Sequence, residues 1–278
     1  IDGWRLDVAF ELGDQALLGI RQAAHEAKPG SLVVGEINGY PADWFHCVDG
    51  VFNFYTMNLA IRMAKGEISS GQFGQMLRDL VQDAGIENLM RSWLVTDNHD
   101  TDRLASLLKD PKQRRIVQAL QFTLPGSPVV YNGSELGMEG VGDPANRAPM
   151  RWDLVSKTNA DLNWVEKLIR IRKRQIALRY GDLRILSTDK LLGFTRITDK
   201  VAETTVVIVN PTDTVQTETT SIRAGKIMSW GELKDELSSA RVRSVNGVVQ
   251  VKLAPHSVMI LTPVVDRSPG YSPYDRIR

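Results

Sequence analysis

The sequence predicts an α/β region followed by an all-β region, and three observations carry that expectation. Short apolar runs recur along the first two thirds of the chain, each closing on polar or Gly-rich residues. Between them lie stretches of helical periodicity, the rhythm of β/α units around a parallel sheet. From about Arg184 the texture changes to alternating Thr, Val and Ile, the pattern of antiparallel strands.

Taken in order, the apolar runs predict strands over residues 3–8, 31–36, 50–54, 92–96 and 128–131. Helices are expected over Asp14–Ala27, 72–84 and 112–124, the first opened by Gly13-Asp14 and stopped by Lys28-Pro29-Gly30. A loop rich in Gly, Pro, Asn and Arg follows over 137–153. An amphipathic helix over 162–179 then places Leu168, Ile171 and Ile176 on one face. Beyond it, runs at 204–209, 247–253 and 257–261 are separated by Asn-Pro, Ala-Gly and Pro-His turn signals. Residues 266–278, with Pro269-Gly270 and Pro273, read as an exposed or lightly docked terminus. The expected division is 1–181 for the β/α part, 182–265 for the β part and 266–278 for the tail.

Composition narrows the partners. Across 278 residues, 34 Lys and Arg against 33 Asp and Glu leave a formal net charge of +1. That balance supplies no global field for nucleic acid or an anionic membrane, and a neutral substrate fits it better. Cys47 is the single cysteine, so no disulfide forms within these residues; it reads as a small core hydrophobe. His and Cys are too sparse for a zinc cluster to be expected, and no metal ligand is assigned. No apolar stretch approaches the roughly 20 residues that span a bilayer. The opening Ile-Asp-Gly-Trp-Arg lacks an initiator Met and the regions of a signal peptide, so a cut-out of a longer protein is expected.

Three polar motifs close three of the expected strands: Gly3-Trp4-Arg5-Leu6-Asp7, Val34-Gly35-Glu36 and Thr96-Asp97-Asn98-His99-Asp100. Cleaving a glycosidic bond with retention needs a carboxylate nucleophile and a carboxyl acid/base about 5–5.5 Å apart. Neighbouring strands lie about 4.8 Å apart, so Asp7 and Glu36, spaced as one strand–helix–strand unit, suit those roles. Arg5, two residues before Asp7, points to the same side of the strand and can hold Asp7 ionised. Glu36 has no basic neighbour in sequence and faces the Asp7 anion, so it is expected to keep its proton. Asp100 could stabilise positive charge developing at the anomeric carbon, with His99 donating a hydrogen bond. Singly, each carboxylate is more often a cap or a surface charge; the joint pattern favours chemistry.

The motifs resemble the α-amylase family of glycoside hydrolases, family 13. Residues 3–9 are similar to its nucleophile strand, Gly35-Glu36 to its acid/base strand, and Asn98-His99-Asp100 with Thr101 and Arg103 to its stabiliser motif. Residues 125–138 are similar to its last barrel strand and loop. Asp143-Pro144, Arg147, Pro149-Met150 and Trp152-Asp153 are similar to a segment of cyclomaltodextrinases, neopullulanases and maltogenic amylases. The resemblance implies a (β/α)8 TIM barrel, of which this chain holds about strands 4 to 8, then an antiparallel β-sandwich. It implies catalytic Asp7, Glu36 and Asp100, sugar ligands Arg5, Asn98, His99 and Arg103, and α-glucan or maltooligosaccharide substrates. The first barrel strands, with the family motif that binds calcium in many members, are expected on another segment or chain. The residues present require no cofactor. Phe10 stands where relatives often carry Asn, while Glu11 is as in the cyclomaltodextrinase-like group. Transglycosylation by the same carboxylates, an inactive fragment, and a sugar-binding relative without chemistry are the alternatives. Arg147 reads equally as a substrate ligand or a loop ion pair, Trp44 and Tyr55 as sugar platforms or core, and Trp4 and Phe54 as core.

Overall fold

The computed structural model describes residues 1–223 and 231–264. The Ala-Gly turn signal at 224–225 and the 266–278 terminus lie outside the described residues. The first strands, β1 (Gly3–Leu6), β2 (Leu32–Gly35) and β3 (Gly50–Val51), pair in parallel in that order. A parallel bridge from Phe52 to Trp93 links them to β4 (Trp93–Val95), which pairs in parallel with β5 (Ser127–Val129). The strands therefore follow one another in chain order and direction, and their C-terminal ends open on one side. Each is shorter than its apolar run. β1 ends at Leu6, which leaves Asp7 in the turn beyond it rather than on the strand.

The helices between them follow local signals where these are strong. α1 (Asp14–Ala27) joins β1 to β2. α2 (Phe54–Ala64) was not foreseen, and Phe54 opens this helix instead of ending a strand. Asn53 caps it by accepting the Thr56 N–H; Met57, Leu59, Ala60, Ile61, Met63 and Ala64 are buried, while Asn58 and Arg62, four residues apart, form its narrow exposed face. α3 (Ser70–Ala84) starts on a reciprocal Ser69–Gln72 capping box, and α4 (Ile86–Arg91) leads into β4. After the short α5 (Leu104–Leu107), α6 (Pro111–Thr123) carries Pro at its first position and an Asp110 cap. The expected helix over 162–179 is two. α7 (Ala160–Arg174) gives way to extended backbone at Gln175, beside the ion pair of Arg174 with Glu236, and α8 (Ala177–Tyr180) follows.

The rest is antiparallel. β6 (Asp182–Ile185), β7 (Leu192–Ile197), β8 (Thr205–Asn210), β10 (Glu232–Asp235), β11 (Arg241–Arg243) and β13 (Ser257–Pro263) form a sheet in the order β11-β10-β13-β8-β7-β6. A separate ribbon pairs β9 (Gln216–Ser221) with β12 (Val248–Leu253). One sheet face, through Leu192, Phe194, Val207 and Val209, joins the core built by α2, α3 and α6. The other face packs Val206, Ile208 and Leu261 against Val249, Val251 and Leu253 of the ribbon. Full burial of such a side chain is worth roughly 1.5–3 kcal/mol, so the two faces bind the sheet to both neighbours.

Arg196 on β7 adds a polar lock between the regions. Fully buried, it donates to the carbonyls of Thr123, Leu178 and Gly181, at the ends of α6 and α8. Burial works against its charge, and those carbonyls, left over at helix C-termini, offset that cost.

Candidate active site

Register brings the first two motifs together. Leu6 pairs with Gly35, and the Glu36 N–H donates to the Leu6 carbonyl at 3.0 Å, so Asp7 and Glu36 leave adjacent strands at one level. Arg5 hydrogen-bonds Asp7, and its Nη2 also lies 2.8 Å from Glu36 Oε1. That second contact gives Glu36, which has no basic neighbour in sequence, a basic partner across the strands. The turn that follows β1 brings Asp7 back to Arg5, but only parallel pairing with β2 carries Glu36 into its reach. The Arg5 guanidinium lies 5.2 Å from the centre of the Phe52 ring, which fixes its direction.

The carboxylates differ in surroundings. Asp7 is 71% exposed and Glu36 8%. The hydrogen bond from Arg5 holds the Asp7 carboxyl below its usual range; partial desolvation opposes this, while the Arg5 charge, a hydrogen bond with Glu36 and the nearby His99 reinforce it. Glu36 Oε2 accepts the Val8 N–H at 3.0 Å. Val8 reaches it with φ 44° and ψ 41°, a left-handed backbone that a β-branched residue enters at a cost of about 1–3 kcal/mol. The turn after Asp7 is thus strained where it holds Glu36.

The third motif stands beside them. His99 Nε2 lies 3.1 Å from Asp100 Oδ2, and Arg147 Nη2 donates to Asp100 Oδ1 at 2.9 Å. Arg147 also pairs with Asp143 at 3.2 Å, so it joins the loop after β5 to the loop after β4. Asn98 accepts the Asp100 N–H at 3.0 Å, while its own Nδ2 is buried without a partner. Asn146 fastens the same loops by donating to the His99 and Thr101 carbonyls. Asp97 is buried and accepts from Thr96, Leu104 N–H and Ser134, which makes it a scaffold group.

Arg103 corrects a further expectation. It has no accessible surface; it donates to the Asn132 carbonyl at 2.7 Å and lies 4.6 Å from the Tyr131 ring centre. From there it braces the loop after β5 and does not reach solvent. Trp4 is 53% exposed rather than core. Tyr55 lines a 540 Å³ cavity with Asn38, Tyr40, Phe54 and Asn58, whereas Trp44 packs beside Ala9, Leu17 and Cys47. Val8 and Asn146 were missed, because each acts across loops distant in sequence; of the two readings of Arg147, the structure shows the loop ion pair, with Asp100 as the partner sequence did not name. The structure also gathers Asp14, His46 and Cys47, with one donor atom from each within 4.8 Å of the others, a grouping that composition gave no reason to expect. Among the described residues no helix is long and apolar enough to cross a membrane.

Residues 1–165 match the family described as alpha amylase, catalytic domain. Neopullulanase 2 of Thermoactinomyces vulgaris is 31% identical over 269 residues, 94% of this chain and 45% of that protein. A cyclomaltodextrinase of Geobacillus thermopakistaniensis is 34% identical over 193 residues, 68% of this chain and 33% of that protein. The chain thus spans less than half the length of these relatives. A solved cyclomaltodextrinase structure superposes with a TM-score of 0.84 at 25% identity, over 95% of this chain and 46% of that one.

Proposed function

Because the chain belongs to the α-amylase family, we propose that it carries the reacting carboxylates of a retaining α-glycoside hydrolase acting on α-glucans or maltooligosaccharides. Its five parallel strands are read as about strands 4 to 8 of a (β/α)8 barrel, completed by a segment outside residues 1–278. The antiparallel part from Asp182 is read as the family's C-terminal β domain.

One observation supports the chemistry above the rest: Arg5 contacts an exposed, readily ionised Asp7 and a buried Glu36 at the ends of adjacent strands. In the first step Asp7 attacks the anomeric carbon as Glu36 gives its proton to the departing glycosidic oxygen. Loss of that proton leaves a buried anion, which Arg5 and the Val8 N–H are placed to stabilise. Glu36 then takes a proton from water, and the resulting hydroxide displaces Asp7 from the sugar. Asp100, held by His99 and Arg147, faces the charge that develops between these steps. Asn98 accepts the Asp100 N–H and so orients the third carboxylate. A sugar hydroxyl in place of water gives transfer instead of hydrolysis by the same route. Calcium, associated with the family motif outside this segment, enters no step.

The test is Glu36→Gln in the protein, assayed on maltotriose, cyclodextrin and pullulan. Loss of turnover on glycosides with poor leaving groups, by about 10²-fold or more, is expected, with activity on an activated aryl glycoside partly retained. Unchanged turnover on maltotriose would refute the assignment.

A further inference from the structure

We infer that Asp14, His46 and Cys47 form a second site, one that takes a single zinc-type divalent cation independently of the glycosidase reading. Asp14 is the first residue of α1, and His46-Cys47 lie in the turn between β2 and β3. Packing therefore joins a carboxylate, an imidazole and a thiol from two separated segments. His46 Nε2 and Asp14 Oδ2 are 2.9 Å apart, and the three donor atoms all lie within 4.8 Å of one another. Ligands on a tetrahedral zinc ion with bonds of about 2.0–2.3 Å sit about 3.3–3.8 Å apart, so rotation of the Asp14 and His46 side chains closes the set. Those two are free to turn, being 62% and 54% exposed, while Cys47 is fully buried and supplies a fixed anchor beneath them.

Charge and hardness select the ligand. A carboxylate and a thiolate together carry two negative charges, which a dication neutralises, and imidazole with thiolate favours zinc-type ions over calcium or magnesium. In the metal-free state the Cys47 thiol donates to the Trp44 carbonyl at 3.2 Å. Burial first and the Asp14 charge second raise the thiol's hold on its proton, while Arg21 works the other way. On binding, the S–H bond breaks, sulfur bonds the metal and the proton passes to solvent. Three protein ligands leave a fourth position for water, and the bound ion would tie the start of α1, just after the Asp7 turn, to the segment that follows Glu36.

The protein is stripped with chelator and titrated with cobalt(II), then with zinc in competition. One equivalent is expected to give thiolate-to-cobalt charge-transfer absorption in the near ultraviolet and intense d–d bands, both removed by zinc. Cys47→Ser should abolish the charge-transfer band. Asp14→Asn and His46→Gln, surface changes that leave the core intact, should each weaken cobalt binding by about tenfold or more. If Cys47→Ser fails to fold, those two variants carry the test. Absence of charge-transfer absorption from the unaltered protein, or full affinity in both Asp14→Asn and His46→Gln, overturns the site. Because the readout is spectroscopic, loss of glycosidase activity in another variant has no bearing on it.

Discussion

Replacing Arg103 with Met separates a brace from a sugar ligand. Met keeps most of the buried volume but deletes a charge-assisted hydrogen bond to the Asn132 carbonyl at 2.7 Å and a stacked contact at 4.6 Å from the Tyr131 ring centre. The first is worth about 1.5–3 kcal/mol and the second about 0.5–2 kcal/mol. The 3.4 Å contact with the Ala148 carbonyl is too long to add much. Against these stands the buried Arg103 Nε, which has no partner and whose removal returns about 1–3 kcal/mol. The balance centres on a net loss of about 1.5 kcal/mol, and at about 2–4 °C per kcal/mol the melting temperature should fall by about 3–6 °C. The assay is thermal unfolding beside steady-state kinetics on maltotriose. A loop that loses its brace should lower kcat as the pocket loosens, with the stability loss alongside. An unchanged melting temperature together with a raised KM would refute the reasoning and return Arg103 to the sugar ligands.

Arg5→Met should move the acid limb of kcat/KM to higher pH. Arg5 is what chiefly holds the Asp7 carboxyl below its ordinary range, so the ionised nucleophile, present above that range, is now lost as pH falls only through the lowered value. A pH–rate profile with an unmoved acid limb would count against it. Arg196→Met should cost more stability than Arg103→Met, because Arg196 makes four hydrogen bonds to three carbonyls: two to Gly181 and one each to Thr123 and Leu178. Three orphaned carbonyls at about 1–3 kcal/mol each set the scale; a melting temperature within a degree of the parent would show that the lock contributes nothing.

Motifs within a few residues of one another were legible in the sequence. Arg5 and Asp7 meet within one short stretch, although Asp7 lies in the turn just past β1, and the Asn98–Asp100 turn closes on itself. Helical periodicity brought α1, α3 and α6 out close to their observed ends, whereas in α2 only Asn58 and Arg62 mark the exposed side of an otherwise mostly apolar run that begins in the residues read as a strand. The antiparallel strands β8, β12 and β13 stood out by their apolar runs. β9 and β11 did not, being short or largely polar.

The candidate reacting groups and their order along the chain could be nominated from sequence alone, since a carboxylate's chemistry is a local property. Tertiary structure decided what surrounds each one. Parallel register brought Arg5 to Glu36 as well as Asp7, loop packing set Arg147 on Asp100 and sealed Arg103 away from solvent, and the turn before β3 carried His46 and Cys47 to Asp14. These contacts join residues far apart in the chain. Their positions follow from the sum of long-range packing and hydrogen bonding, which no short stretch of sequence contains.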